Sequence, residues 1–342
     1  MNTSMNKVFI IAELSANHGG SIEIAKETIR AAKRTGADAI KLQTYTADTI
    51  TLDVETDLFK IKQGTAWDGQ YLYDLYKEAS LPWEWHKPLY DLAKEEGLIC
   101  FSSPFDKTAV DFLEKLNTPI YKVASFEITD IPLISYIASK QKPIIISTGI
   151  ATIEDIELAI AACKEQGNID ITILKCTSAY PADPEDANLL TIPDISKRFG
   201  VKVGLSDHTM GIEAPMVAVA LGARVIEKHF ILDKSIGGAD AHFSLDEIEF
   251  KQMVDAVRLT EKLMGNVDYK MTDKKKKSRE FSRSLFVTQN IKPGDIISTD
   301  NIKSVRPGFG LHPKYYNEIL GKKFVSAVKR GEPLTLKMIE SL

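Results

Sequence analysis

The sequence predicts an α/β protein: a closed (β/α)8 TIM barrel followed by a small C-terminal β-rich domain. Three observations lead there. Apolar, β-rich runs alternate with helix-period segments over the first 230 residues; the runs number eight; and beyond a charged stretch near residue 273 the texture changes to short strands with Pro and Gly turns. Near-continuous apolar strands separated by helices indicate a parallel sheet covered by helices. Eight such units in about 250 residues fit a closed barrel. An open doubly wound sheet would show G-x-G-x-x-G after its first strand, and Asn17-His18-Gly19-Gly20 does not match.

In chain order, strands are expected at 8–14, 39–44, 98–103, 120–125, 143–148, 171–178, 201–206 and 224–230. Between them, helical periodicity covers 22–35, 85–96, 108–116, 131–139 and 153–166, and a helix over 245–264 would close the barrel. This gives a barrel domain over 1–265, a charged linker over 266–282 and a small domain over 283–342. The run DKKKKSRE at 273–280 lacks apolar periodicity, and its plain reading is a solvated linker. The Lys274–Lys277 run has no assigned role. In the last domain, Ile291-Lys292-Pro293-Gly294 resembles Val328-Lys329-Arg330-Gly331, with Ile302 and Ile339 at matching offsets. Such a pseudo-repeat suggests a β-clip of two related halves.

The 342 residues allow two domains or a barrel with an appendage. With 43 basic and 47 acidic residues the net charge is −4, which gives no reason to expect nucleic acid as a partner. No apolar run reaches the ~20 residues of a membrane helix. The first 14 residues carry no secretory signal pattern. Cys100, Cys163 and Cys176 are odd in number and scattered, which fits a reducing cytoplasm.

Barrel chemistry lies at the C-terminal strand ends, and polar residues collect there. Glu13 follows the first strand; Lys41 and Gln43 end the second; Ser102 and Ser103 the third. Lys122, Ser125 and Glu127 lie at the fourth, Thr177, Ser178 and Tyr180 at the sixth, Ser206, Asp207 and His208 at the seventh, and His229 at the eighth. Strand alternation puts Lys41, Lys122, His208 and His229 near the barrel axis if their faces point inward. Buried charges need partners, so two lysines in one mouth predict an anionic ligand. Alone, His208 or His229 would read as a core histidine; paired on adjacent strands they suit a divalent metal. Lys122 also admits a Schiff-base reading, as in pyruvate-dependent aldolases. The hydroxyls of Ser103, Ser125, Ser178 and Ser206 favour a phosphate and carboxylate cradle instead.

The segments IAELSANHGG, IKLQTY, FSSPFD, YKVASFE, ISTG, CTSAYP, GLSDHT, EKHF and VRPGFG, in this order, resemble the sialic acid synthase family over almost the whole chain. GTAWDGQYLYDLYKEA, ASFEITDIPLI and RPGFGLHPKYY are most similar to its pseudaminic acid branch. The resemblance implies a barrel with a C-terminal antifreeze-like (SAF) domain and a phosphoenolpyruvate-dependent transferase. In that branch phosphoenolpyruvate, water and 2,4-diacetamido-2,4,6-trideoxy-L-altrose give pseudaminic acid and phosphate with C–O cleavage. Alternatives are a sialic or legionaminic acid synthase using another N-acetylated sugar. The resemblance further implies phosphoenolpyruvate contacts from Lys41, Ser103, Lys122, Ser125, Ser178 and Ser206. Ser178 stands where the sialic acid branch usually has Asn. His208 and His229 match the ligands of a divalent metal, usually Mn²⁺, with Mg²⁺ or Co²⁺ as substitutes. Glu13 matches the acid near the metal and its water. Gln43, Glu127, Tyr180 and Asp240 match sugar-contacting positions, with Glu127 and Asp240 also possible proton carriers. Arg306 matches an arginine that reaches the partner's active site in a domain-swapped homodimer. Phe126 replaces a glycine of the sialic acid branch and is expected to add an apolar wall.

Overall fold

Eight parallel strands close on themselves in sequence order in the computed structural model. They are β1 (Phe9–Glu13), β2 (Ala39–Thr44), β3 (Ile99–Pro104), β4 (Tyr121–Val123), β5 (Ile144–Ser147), β6 (Ile171–Cys176), β7 (Lys202–Asp207) and β8 (Val225–His229), with β8 pairing back onto β1. Residues 7–62 and 67–341 are described. The first six residues of the segment read as lacking a secretory signal, and Gly64-Thr65-Ala66 of the GTAWDGQ motif, lie outside them. Each strand ends within two residues of its expected limit.

The crossover helices include Ile22–Thr35, Trp83–Glu95, Lys107–Lys115, Ile131–Ala138, Ile153–Glu165 and Glu247–Met264. Their starts are written in the sequence. Thr152 with Asp155, and Asp246 with Glu249, form reciprocal capping boxes, which satisfy amide donors that a helix start leaves open. Among the described residues, three further helices of eight or more residues, Leu72–Ala79, Thr191–Phe199 and Glu213–Ala220, have no counterpart in the sequence reading. Pro193 and Pro215 sit near the starts of the last two, where a missing N–H costs nothing.

The strands bury both faces. Outward residues such as Ile10, Ile40 and Ile226 pack against Ile29, Val254 and Phe250 of the helices. Inward, Ile11, Ala39, Phe101, Ile145, Leu174 and Val225 form a separate apolar plug. Gly204 belongs at this level: a Cβ there would lie 2.4 Å from the Val225 carbonyl oxygen and 2.5 Å from Leu174 Cδ2. The plug floors the mouth above it.

A division between Gly265 and Asn266 separates a second compact unit. In it, β9 (Ser284–Val287) pairs antiparallel with β10 (Ile302–Val305) over a core including Leu285, Ile297, Phe324 and Leu334. The two halves of the pseudo-repeat face each other. Ile291 and Val328, the first residues of the copies, exchange backbone hydrogen bonds of 2.8 and 3.2 Å, and Ile302 and Ile339 share the core. The charged stretch differs from a plain linker, because Asp273–Arg279 is helical and wholly exposed. Thr272 caps it, Asp273 opens it and Lys277 and Arg279 close it, so good helix formers are arranged along the helix dipole.

Candidate active site

Above the apolar plug, the next inward side chains are ionic. Glu13 and Lys41 are paired neighbours on β1 and β2, and Glu13 also neighbours His229 of β8. Lys41 Nζ lies 2.6 Å from Glu13 Oε2, 3.3 Å from Ser103 Oγ and 3.7 Å from Glu227 Oε2. Lys122 Nζ lies 3.7 Å from the other oxygen of Glu227 and donates to the Val123 carbonyl at 3.0 Å. Ser206 Oγ donates to Glu227 at 3.1 Å. All these side chains are buried.

The lysines therefore have counter-ions of their own, which the inference of an anionic ligand from two lysines did not include. One counter-ion is weak: burial foremost, with repulsion from Glu227, outweighs the pull of Lys41 and pushes Glu13 up to about 7. Near neutrality Glu13 is therefore poised between its charged and its neutral form. Burial works against a charged Lys41, yet Glu13 and Glu227 outweigh it and raise Lys41. For Lys122 burial wins and lowers it.

Beside the lysines is a hydroxyl wall. Ser178 Oγ donates to Ser125 Oγ at 2.9 Å, and the Ile150 amide donates to the same oxygen at 3.2 Å. Ser147 Oγ, at the end of β5, is buried without a hydrogen-bond partner. Gly149 brings its backbone against this wall: a Cβ there would lie 2.0 Å from Ser178 Oγ and 2.6 Å from Ser125 Oγ.

The imidazoles stand at the ends of β7 and β8. His208 directly follows β7 and His229 ends β8, with ring centroids 5.2 Å apart. His208 Nδ1 donates to the Thr177 carbonyl at 2.8 Å, so Nε2 is the nitrogen that carries the lone pair when the ring is neutral. Burial works against the charged ring, but Cys176 and the Thr177 carbonyl outweigh it and raise His208, so a cation would displace a proton there. His229 Nδ1 is buried without a hydrogen-bond partner, 3.6 Å from Asp240 Oδ2. Burial foremost, then the positive neighbours, holds His229 well below its ordinary value and so neutral. A fixed tautomer and an orphaned ring nitrogen fit two ligands of a divalent cation. Among the described residues no group of three His, Cys, Asp or Glu side chains is arranged to hold a metal. Other positions around such a cation would belong to water or substrate.

Tyr180 and Phe243 close this side, with ring centroids 4.5 Å from His208 and 4.8 Å from His229, respectively. Gln43 Nε2 donates to Glu13 Oε1 at 3.2 Å and to Ser15 Oγ at 2.9 Å, which orients the carboxylate. Asp240 Oδ2 accepts from the Ala16 amide at 3.4 Å. Glu127 has a buried, unpartnered Oε2, and burial foremost pushes it up to about 7. Phe126 is 57% exposed.

The barrel thus brings together every sequence-derived site residue except Arg306, which follows β10 in the C-terminal unit. The sequence marks Glu227 only as an acid near the two imidazoles, not as the partner of the lysines, and gives no site role to Ser147 and Gly149. Alternation does put Glu227 on the His229 face. Ser147 and Gly149 stand in ISTG, at the end of the fifth strand, where a polar strand end was the available signal. His86, on the helix Trp83–Glu95, is buried away from this site and shares a 2.8 Å hydrogen bond with Thr44 Oγ1.

The NeuB family model matches residues 28–269, and the SAF domain model matches residues 282–340. The pseudaminic acid synthase of Campylobacter jejuni is 53% identical over 96% of this chain and 95% of its own. That of Helicobacter pylori is 50% identical over 97% of each. The crystal structure of the N-acetylneuraminic acid (sialic acid) synthetase from Leptospira borgpetersenii, in complex with citrate, superimposes with a TM-score of 0.71. It has 30% identity and covers 80% of this chain and 90% of its own.

Proposed function

Because the chain belongs to the NeuB family and carries a SAF domain after its barrel, we propose that it condenses phosphoenolpyruvate with an N-acetylated sugar aldehyde and water, releasing phosphate. The observation that carries this reading is the mouth itself. Two buried lysines, a set of hydroxyls and two imidazoles share it. The sugar is 2,4-diacetamido-2,4,6-trideoxy-L-altrose and the product pseudaminic acid, supported by the names of the relatives at 53% and 50% identity. With three free cysteines and a glycolytic substrate, the enzyme works in the cytoplasm.

Lys41 and Lys122 hold the phosphate and carboxylate, and Ser103, Ser125, Ser178 and Ser206 fix their orientation. His208 and His229 hold the divalent cation, Mn²⁺ in the first instance, with Mg²⁺ or Co²⁺ able to replace it. When bound, that cation supplies Lewis acidity toward the sugar carbonyl oxygen. C3 of phosphoenolpyruvate attacks the aldehyde carbon while Tyr180, Gln43 and Asp240 hold the sugar. A water adds to C2, and Glu13, aligned by Gln43, accepts its proton. The bond between C2 and the bridging oxygen then breaks, and phosphate leaves with that oxygen. Glu127 accepts from the sugar or carries a proton to its new hydroxyl. Arg306 of a partner chain completes the sugar site in a swapped homodimer. Mixing Arg306→Ala with Lys122→Ala under proven subunit exchange is expected to restore part of the activity.

Burial lowers Lys122, the direction that a Schiff-base lysine also needs, so the aldolase reading is the second one. Borohydride with pyruvate is expected to leave Lys122 unmodified; a trapped adduct would favour the aldolase. The substrate test compares phosphate release with the trideoxy altrose and with N-acetylmannosamine, in Mn²⁺. Release with the first alone is expected. Release with the second alone would transfer the chain to a sialic acid activity, and release with neither would overturn the reading. Phe126→Gly is expected to erode the preference for the deoxy sugar by at most ~10²-fold; an unchanged ratio of rates would remove Phe126 as a determinant.

A further inference from the structure

Behind the two imidazoles, on the outward face of the barrel wall, lies a buried ion pair that the mechanism does not use. Asp207 and Lys228 are Cα partners at the last paired position of β7 and β8. Each immediately precedes an imidazole, Asp207 before His208 and Lys228 before His229. Since Ser206, His208, Glu227 and His229 face the mouth, alternation turns Asp207 and Lys228 away from it. Their side chains are 2% and 0% exposed. Lys228 Nζ donates to Asp207 Oδ2 and, at 2.5 Å, to the Thr209 carbonyl. The other oxygen of Asp207 accepts from the Thr209 amide at 3.0 Å and from its hydroxyl at 2.8 Å. The His208 backbone is therefore held on both sides, with Asp207 and Thr209 tied to one ammonium group carried by the residue before His229. The His208 carbonyl accepts from the Ala182 amide at 3.0 Å, which ties the same stretch to the loop after β6.

A buried ion pair is weak support for stability, since well-packed apolar replacements are often neutral; its directionality is what an apolar pair cannot supply. Here the pair lies at the last position of the β7–β8 ladder, where the backbone of His229 is also held by its pairing with Glu13 of β1 and by the Leu245 amide on its carbonyl at 3.0 Å; the ion pair adds a side-chain tie between the two strands directly beside the two rings.

We infer that Asp207 and Lys228 are positioning residues that set the separation of the His208 and His229 imidazoles, and so the affinity of the site for its divalent cation. This rests on the metal reading under Proposed function. The double variant Asp207→Leu with Lys228→Met removes both charges without stranding either one. Asp207→Glu keeps the charges and lengthens one arm by a methylene.

The test is titration of the full-length protein with Mn²⁺ alone, by calorimetry, beside a thermal melt. The parent is expected to bind, and the double variant to bind ~10- to 100-fold more weakly, the usual loss on removing a group that orients a metal ligand. Asp207→Glu is expected to weaken binding while melting near the parent temperature. If the double variant does not fold, Asp207→Glu decides alone. Variant affinities within twofold of the parent, whatever the melting temperature, would overturn the positioning role and leave the metal site standing. A parent that binds no Mn²⁺ would overturn the metal site and the positioning role together.

Discussion

Lys41 and Glu13 are Cα partners across β1 and β2, and their side chains meet at 2.6 Å, 4% and 1% exposed. A contact this short in a buried site would ordinarily hold both groups ionised. Burial and Glu227 instead push Glu13 up to about 7, within reach of proton exchange near neutrality. Glu13→Gln keeps the shape but neither the charge nor the proton-accepting oxygen. Steady-state kinetics is expected to show kcat falling ~10²- to 10⁴-fold with the fold intact; near-parent kcat would deny Glu13 its role.

Gly149 is held to glycine by a close approach. Its missing side chain leaves the space in which Ser125 and Ser178 meet. Gly149→Ala is expected to displace both hydroxyls and raise KM for phosphoenolpyruvate ~10-fold or more, as loss of a charge-assisted hydrogen bond would. Separate saturation curves for the two substrates check this, and KM for the sugar should move less.

Glu127 carries a pH signature. Its folded-state value is raised from 4.5 to about 7 by burial, so the unfolded chain releases this proton more readily. The sign follows: stability is lost as pH rises from 4.5 to about 7, and the penalty is full above that window. Glu127→Gln is therefore expected to stabilise the ligand-free barrel by about 3 kcal/mol at pH 8, with no difference below pH ~4. Thermal melts of both proteins across that range measure it.

Gly204 answers to packing rather than chemistry. A methyl group there would press on the Val225 carbonyl and Leu174 inside the plug. Gly204→Ala is expected to cost about 1–3 kcal/mol by overpacking, read as a lower melting temperature.

The barrel is legible in the sequence because its signal is local. Each run such as AIKLQT or ITILKC alternates an outward residue for the helix layer with an inward one for the plug or the mouth. The same alternation delivers Lys41, Ser206, His208 and His229 to one face. Less legible is whatever depends on neighbours in space. Strand order alone does not show that Glu227 lies between two lysines, because the three residues come from β2, β4 and β8. Two anions among two cations change what the mouth binds at rest, and no spacing reports that. Helix Glu213–Ala220 is hidden because EAPMVAVA is apolar around most of its circumference and carries a proline. Helix Asp273–Arg279 is hidden for the opposite reason, having no apolar face at all.

The most direct measurement follows the oxygen between C2 and phosphorus. Phosphoenolpyruvate labelled with ¹⁸O at that bridging position is incubated with the enzyme, Mn²⁺ and the trideoxy altrose, and the released phosphate is followed by ³¹P NMR. Water adding at C2 followed by C–O cleavage sends the label into phosphate. Unlabelled phosphate would mean cleavage between phosphorus and oxygen, and would contradict the proposed roles of Glu13, Lys41 and Lys122.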